Sequence, residues 1–256
     1  MLFRSYTLLA TSASFAISGA VQIALPYDAL RDFAGVANIG YSTDALVAAP
    51  SLGIRSIKEL ISHGRAHPGK LMFGSAGTGT STHLSGEKFA AEAGFKALHV
   101  GFKGLPEFLI DIAAGRIHYG VAVLGGALPL IRDNKLLLVA VGPQRSPLYP
   151  DVPAINETLP GYSREGSQAL LAPAATPHAL RQQLSREVGR ALELKDVRER
   201  LLAMGRFAAA AARPGSGEAP LWGDADDGRA LPLGGQPLSD HRHLAACIDR
   251  KSTRLN

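Results

Sequence analysis

Between Asp32 and Gly205, short apolar runs take turns with segments of helical period, and this alternation limits the chain to a narrow set of folds. Residues 36–39 and 45–49 read as strands. Ser56-Ile57-Lys58-Glu59 is a capping box, in which the Ser56 hydroxyl can accept the free amide of Glu59. It opens a helix with Ile57, Leu60 and Ile61 on its apolar face, stopped by Pro68-Gly69. A strand over 70–74 and a helix over 82–93 ended by Gly94 come next. A strand over 98–100 leads to a helix over 105–114, with Leu105, Leu109 and Ile112 on one face and Gly115 at its end. Strands over 117–124 and 136–141 follow. Thr176-Pro177 predicts an N-cap with proline at the first helical position. Leu180, Leu184, Val188 and Leu192 then recur at every fourth position, as one buried helix face requires. Asp196 is placed to cap a last short helix ending at Gly205. Strands alternating with helices predict an α/β chain with a largely parallel sheet.

Composition narrows the function. The chain has 256 residues, 46% of them hydrophobic and 19% charged, enough apolar material for a real core. A formal net charge of +5 without a basic cluster argues against a nucleic-acid partner and suits mild attraction of small anions. The single cysteine, Cys247, excludes an intramolecular disulfide framework and a Cys-rich zinc site. No apolar run reaches bilayer-spanning length. Past Gly205 the pattern changes. An alanine-rich stretch gives way to glycine and proline without periodicity, so residues 207–256 are expected to be an unpatterned, disordered tail.

The first twenty residues allow two readings. Arg4, the apolar stretch after it and the small residues near Ala20 imitate a signal peptide, though Ser and Thr interrupt the apolar part. The alternative is a buried strand over 6–10 followed by a polar loop.

The segment that carries chemistry is Gly74-Ser75-Ala76-Gly77-Thr78-Gly79-Thr80-Ser81-Thr82-His83, with a strand before it and a helix after it. Free amides at a helix N-terminus and the positive end of the helix dipole favour an anion. Glycines let the backbone approach closely, and the hydroxyls of Ser75, Thr78, Thr80, Ser81 and Thr82 add donors. A carboxylate or a phosphate would fit, and so would a glycine-rich turn that binds nothing. Gly74, Gly79, Thr80 and Ser81 have P-loop spacing, but Thr80 stands where the phosphate-binding lysine belongs. Gly77-x-Gly79-x-x-Thr82 lacks the third glycine of a dinucleotide loop. No cofactor motif is complete. Ser81 with His83 suggests a hydrolase or transferase, yet no partner acid is evident and helix capping explains the pair as well. His63 and His67, and separately His241, His243 and Cys247, have metal-like spacing without supporting ligands. Lys103 is either an anion contact or a surface charge.

Co-linear segments resemble the Bug-type (TctC-like) solute-binding proteins of tripartite tricarboxylate transporters. They are Leu25-Pro26-Tyr27-Asp28 with Leu30-Arg31-Asp32-Phe33; Ser56 to Leu60; His67 to Leu71; Gly74 to Glu87; and His99-Val100-Gly101-Phe102-Lys103-Gly104. Arg145-Ser146-Pro147, Pro150 to Pro153, Leu159 to Tyr162 and Leu170 to Pro173 continue the likeness. The resemblance implies a two-lobed periplasmic binding protein ("Venus flytrap") fold with an incomplete first lobe. In it, 1–50 and 142–206 form the first lobe and 51–141 the second. It implies a monomeric periplasmic receptor, not an enzyme, that captures a small carboxylate ligand between its lobes for membrane transporter subunits. Ser75, Gly77, Thr78, Gly79, Thr80, Ser81, Thr82 and His83 match one of the family's two ligand loops. The family's opening strand and Pro/Gly loop have no counterpart before Ser5-Tyr6-Thr7-Leu8-Leu9, so the apparent signal peptide is expected to be an internal strand and loop. Ser167-Gln168 replaces a common aromatic pair, and the closing helices have no counterpart after Gly205. Hence a truncated chain that binds nothing is also an expectation.

Overall fold

The computed structural model describes residues 7–12, 14–15, 25–29, 31–162 and 166–208. In chain order, the strands are β1 (Leu9–Ser12), β2 (Phe33–Ser42), β3 (Asp44–Ala48), β4 (Leu71–Ser75), β5 (Ala97–Gly101), β6 (Tyr119–Val123), β7 (Leu137–Val141), β8 (Gly166–Pro173) and β9 (Arg206–Ala208). The helices are α1 (Ile57–Ala66), α2 (Ser81–Glu92), α3 (Leu105–Ala113), α4 (Leu124–Arg132), α5 (Ile155–Thr158), α6 (His178–Glu193) and α7 (Lys195–Ala203). They fall into two compact units, one of residues 1–41, 167–202 and 207–256, the other of 42–166 with 203–206.

The second unit is built on a five-stranded sheet of order β5-β4-β6-β3-β7. Period-two alternation on β3 turns Leu46 and Ala48 to one face and Ala45 and Val47 to the other, and all four are buried. The first face packs under α1 and α2 through Ile57, Leu60, Phe73, Phe89 and Tyr119. The other packs under α3 and α4 through Phe108, Leu109, Ile112, Leu124 and Leu128. At the start of α1, Ser56 Oγ accepts the Glu59 amide at 3.2 Å, and Glu59 Oε2 accepts the Arg55 amide at 2.8 Å. The box read from the sequence is present.

Several expectations are corrected here. The sheet is mixed: β4 runs parallel to β5 and β6, while β3 runs antiparallel to β6 and β7. An unbroken apolar run such as Ala45–Ala48 marks a doubly covered strand but carries no information on direction. The strand expected over 117–124 stops at Val123, and Leu124 opens α4 instead. Gly125, Gly126 and Pro129 disguise that helix, whose Leu124, Ala127, Leu128 and Ile131 are nevertheless buried. Core packing outweighs their poor propensity. The unit also extends past 51–141 at both ends. β3 is a central strand, and the segment after β7 returns to it, with the Val141 amide donating to Pro153 O at 3.0 Å.

The first unit contains a four-stranded sheet of order β1-β8-β2-β9. β1 pairs antiparallel with β8, Leu9 opposite Leu171 and Ser12 opposite Gln168. The strand expected over 6–10 is therefore shifted, and it alternates half-buried with exposed residues instead of being buried. Tyr6 lies outside the described residues. α6 keeps the anticipated face, with Leu180, Leu184 and Val188 half-buried and Leu192 buried. Its N-cap is Pro177, however, and no side chain caps it. Thr176 is buried just ahead of the cap. The start of the expected tail is also corrected. Phe207 and Ala208 belong to β9, and a Cβ on Gly40 of β2 would run into the Phe207 carbonyl. The rest of that segment, including His241, His243 and Cys247, lies outside the described residues.

Candidate functional site

β4 delivers the chain to its turn at Ser75, which is completely buried. The turn then reverses tightly enough that Gly77 and Gly79 take φ of 125° and 79°. Those angles favour glycine because a Cβ would collide with its own backbone. Thr80 is the N-cap of α2. Its Oγ1 donates to Gly77 O at 2.7 Å and accepts the His83 amide at a long 3.4 Å. Thr82 Oγ1 lies 3.0 Å from Thr80 Oγ1 and accepts the Ala76 amide at 2.9 Å. With the Thr80 proton committed to Gly77, Thr82 is the donor between the two hydroxyls.

A second tier lies beneath. Ser75 Oγ accepts the Gly77 amide at 3.2 Å and sits 2.7 Å from His99 Nε2, which β5 supplies. The His99 ring stacks on His83 with centroids 3.9 Å apart, and Phe73 packs 5.0 Å from His99. His83 Nδ1 accepts the Gly79 amide at 3.1 Å. That bond assigns the neutral ring's proton to Nε2, which faces Glu87 Oε1 at 3.8 Å. Tyr119 from β6 completes the floor. It is fully buried, and burial together with the Glu87 charge keeps its phenol protonated well past the usual range. From β3, the buried Asp44 Oδ2 accepts the Ser85 hydroxyl at 3.0 Å.

The eight residues singled out from the sequence, Ser75 and Gly77 to His83, thus form one turn, but many of its amides are already engaged. Ala76 donates to Thr82, Gly77 to Ser75, Gly79 to His83, and Thr80 to Gly77 O at 3.3 Å. The Thr78 and Thr82 amides have no acceptor among the described residues, and Thr78 is exposed. What the turn can offer an anion is those N–H groups, the dipole of a twelve-residue helix and the adjacent hydroxyls.

Lys103 is exposed, and its backbone amide donates to Glu107 Oε2 at 3.2 Å. His63 and His67 lie against each other at a helix end with their rings tilted by 35°, and His67 Nδ1 is 3.1 Å from the His63 carbonyl. Among the described residues no cluster of three His, Cys, Asp or Glu side chains could hold a metal ion. Sequence reasoning missed His99 and Glu87. Period-two alternation on β5 would have placed His99 on the α2 face, and Glu87 follows His83 by one helical turn.

Comparison with known proteins identifies the family. A UPF0065 protein of Pseudomonas sp. strain P51, from the tcbD-tcbE intergenic region, is 31% identical over 203 residues, covering 78% of this chain and 60% of its own length. BugT of Bordetella pertussis is 29% identical over 204 residues, covering 78% and 63% respectively. This chain thus spans about 60% of the length of such curated relatives. A solved periplasmic transporter superposes with a TM-score of 0.74 at 29% identity, over 80% of this chain and 70% of that one. An R. palustris protein solved with adipate gives a TM-score of 0.74 at 25% identity, over 97% and 76%. Residues 4–211 match the family described as "Tripartite tricarboxylate transporter family receptor". The chain belongs to that family of tripartite tricarboxylate transporter receptors.

Proposed function

We propose that this chain acts as a periplasmic solute receptor, not an enzyme, and holds one carboxylate of a small ligand at the Ser75–His83 turn for delivery to membrane transporter subunits. The observation that carries the reading is the division of labour among the turn's amides. Ala76, Gly77, Gly79 and Thr80 are spent on fixing the loop, while Thr78 and Thr82 are left for an incoming acceptor. A carboxylate accepts such bonds at about 1.5–3 kcal/mol each when charge assists. The relative solved with adipate supports a dicarboxylate as the first ligand to try. A hydrolase would need a free base at His83, whereas its Nδ1 lone pair is engaged by Gly79.

The test is a thermal-shift and calorimetric screen of adipate, other dicarboxylates, aromatic acids and amino acids. A receptor gains about 2.7 kcal/mol of stability at a hundredfold excess over Kd and consumes nothing. Turnover of an ester or amide substrate that depends on Ser81 would overturn the reading. Stabilisation by none of these acids would overturn it too.

A further inference from the structure

We infer that His83 is a proton-sensitive latch under the turn: the loop keeps its shape only while His83 Nδ1 is unprotonated, so that acidification releases the loop and its anion. This rests on the receptor reading of the same turn. Three observations lead to it. The Gly79 amide, at the tip where φ is 79°, is held by a lone pair of His83 at 3.1 Å and by no carbonyl among the described residues. An imidazolium has hydrogens on both nitrogens, so a proton at Nδ1 would set two donors against each other and break the tether. The His83 ring is buried and stacked on His99 at 3.9 Å, so it cannot swing away without disturbing Phe73 and the Ser75–His99 contact.

The charged and titratable groups around His83 set the window. Glu87, on the same helix, faces Nε2 at 3.8 Å and favours the imidazolium. His99, from β5, disfavours it once it carries charge itself. Tyr119, from β6, stays protonated throughout. Asp44, from β3, is directed to Ser85 on the far side of the helix turn. Burial of the ring adds to the influences against the imidazolium, so protonation at Nδ1 has to be driven by acidification. His83 is therefore a positioning residue for the ligand loop and makes no contact with ligand. Ser75 and His99 form a second support for the same loop, and they bear on Gly77, not Gly79.

The experiment uses the full chain with adipate as probe, and reads the Gly79 amide resonance in the ligand-free protein alongside. Adipate affinity should fall by about tenfold or more from about pH 8 to about pH 5, and the Gly79 resonance should titrate with the same midpoint as the His83 ring. In His83→Asn the amide oxygen replaces Nδ1 as acceptor and cannot be protonated, so the Gly79 profile should become flat and the affinity profile should keep only the fall due to protonation of adipate itself. Glu87→Gln removes the group that favours the imidazolium, so the midpoint should move to lower pH. This second variant keeps the test sharp if the first fails to fold. A Gly79 resonance that ignores the His83 titration would overturn the latch, as would a wild-type slope retained in His83→Asn or an unmoved midpoint in Glu87→Gln. If the resonance titrates as described but adipate and the other acids fail to bind at every pH, the latch stands and the receptor reading falls.

Discussion

Two neighbouring strands of the five-stranded sheet, β4 and β6, run parallel and each feeds a helix, yet their turns are opposites. The β4 turn is polar and wired from below. The β6 turn is apolar and sealed by the chain itself. Leu124, first residue of α4, is fully buried and gives its amide to Thr43 O at 2.9 Å. A Cβ on Gly125 would strike the Met204 carbonyl, and one on Gly205 would meet the Gly125 nitrogen at 2.7 Å. Both are helix N-termini, but at α4 the chain itself covers the first turn, with Leu124 bound to Thr43 and Met204 lying over Gly125. A helix N-terminus is therefore not a binding site by virtue of its dipole. What matters is whether the chain already covers that end, and how firmly the loop that carries the donors is held.

The largest expected contrast is in stability. Leu124→Ala should lower it by about 2–5 kcal/mol, read from denaturant midpoints, because a fully buried side chain leaves a cavity. Thr82→Val should cost about 1–3 kcal/mol by orphaning the Ala76 amide, and should also weaken adipate at least severalfold. If Thr82→Val altered stability but left calorimetric affinity untouched, the wired turn would be mere scaffolding. A matched pair of glycine changes sharpens the point. Gly125→Ala must displace Met204 and should cost about 1–3 kcal/mol. Gly79→Ala has open space around its new methyl and suffers only from φ of 79°, so its cost should be about 1–2 kcal/mol. Equal loss of adipate binding in both would erase the distinction between the turns.

The smallest effect should fall on both turns alike. His118, just ahead of β6, accepts the Met72 amide of β4 on Nδ1 at 2.9 Å, tying together the strands that feed them. Burial, helped by the charge of His63, holds its pKa below the ordinary 6.5. The unfolded chain thus binds the proton more readily. This contribution to stability is complete above pH 6.5 and is lost as pH falls through the lowered value. Thermal melts between pH 7 and pH 5 should show a modest decline that His118→Gln makes shallower.

Much of this was legible in the sequence wherever local period decides. The Ser56 box, the face of α1 and the β4–loop–α2 unit all follow from residues within a few positions of one another. The direction of β3 was not legible, because Ala45–Ala48 is apolar on both faces and only chain entry fixes its sense. α4 was hidden by two glycines and a proline whose cost is met by burial. β9 was missed because three residues beside an alanine run carry no period. Within the site, the glycines and hydroxyls announced the turn, but its floor did not show. His99 reaches Ser75 across 24 positions of sequence, a contact that only the pairing of β4 with β5 creates.

The order of chain segments in the two sheets has a kinetic consequence. Every strand of the five-stranded sheet lies within Asp44–Val141, so its pairings close over short and medium loops. In the other sheet, Leu9 must find Leu171, and β2 lies between β8 and β9. Loop-closure entropy and contact order both penalise those late pairings. As the chain is synthesised from its amino end, β1 and β2 emerge well before β8, with their edges exposed to misassociation until residue 166 and beyond are made. The sheet carrying the Ser75–His83 turn can assemble in the meantime. The arrival of Met204 over Gly125 then becomes one of its final steps, so the Ser75–His83 turn takes shape before β1 and β2 have found their partners.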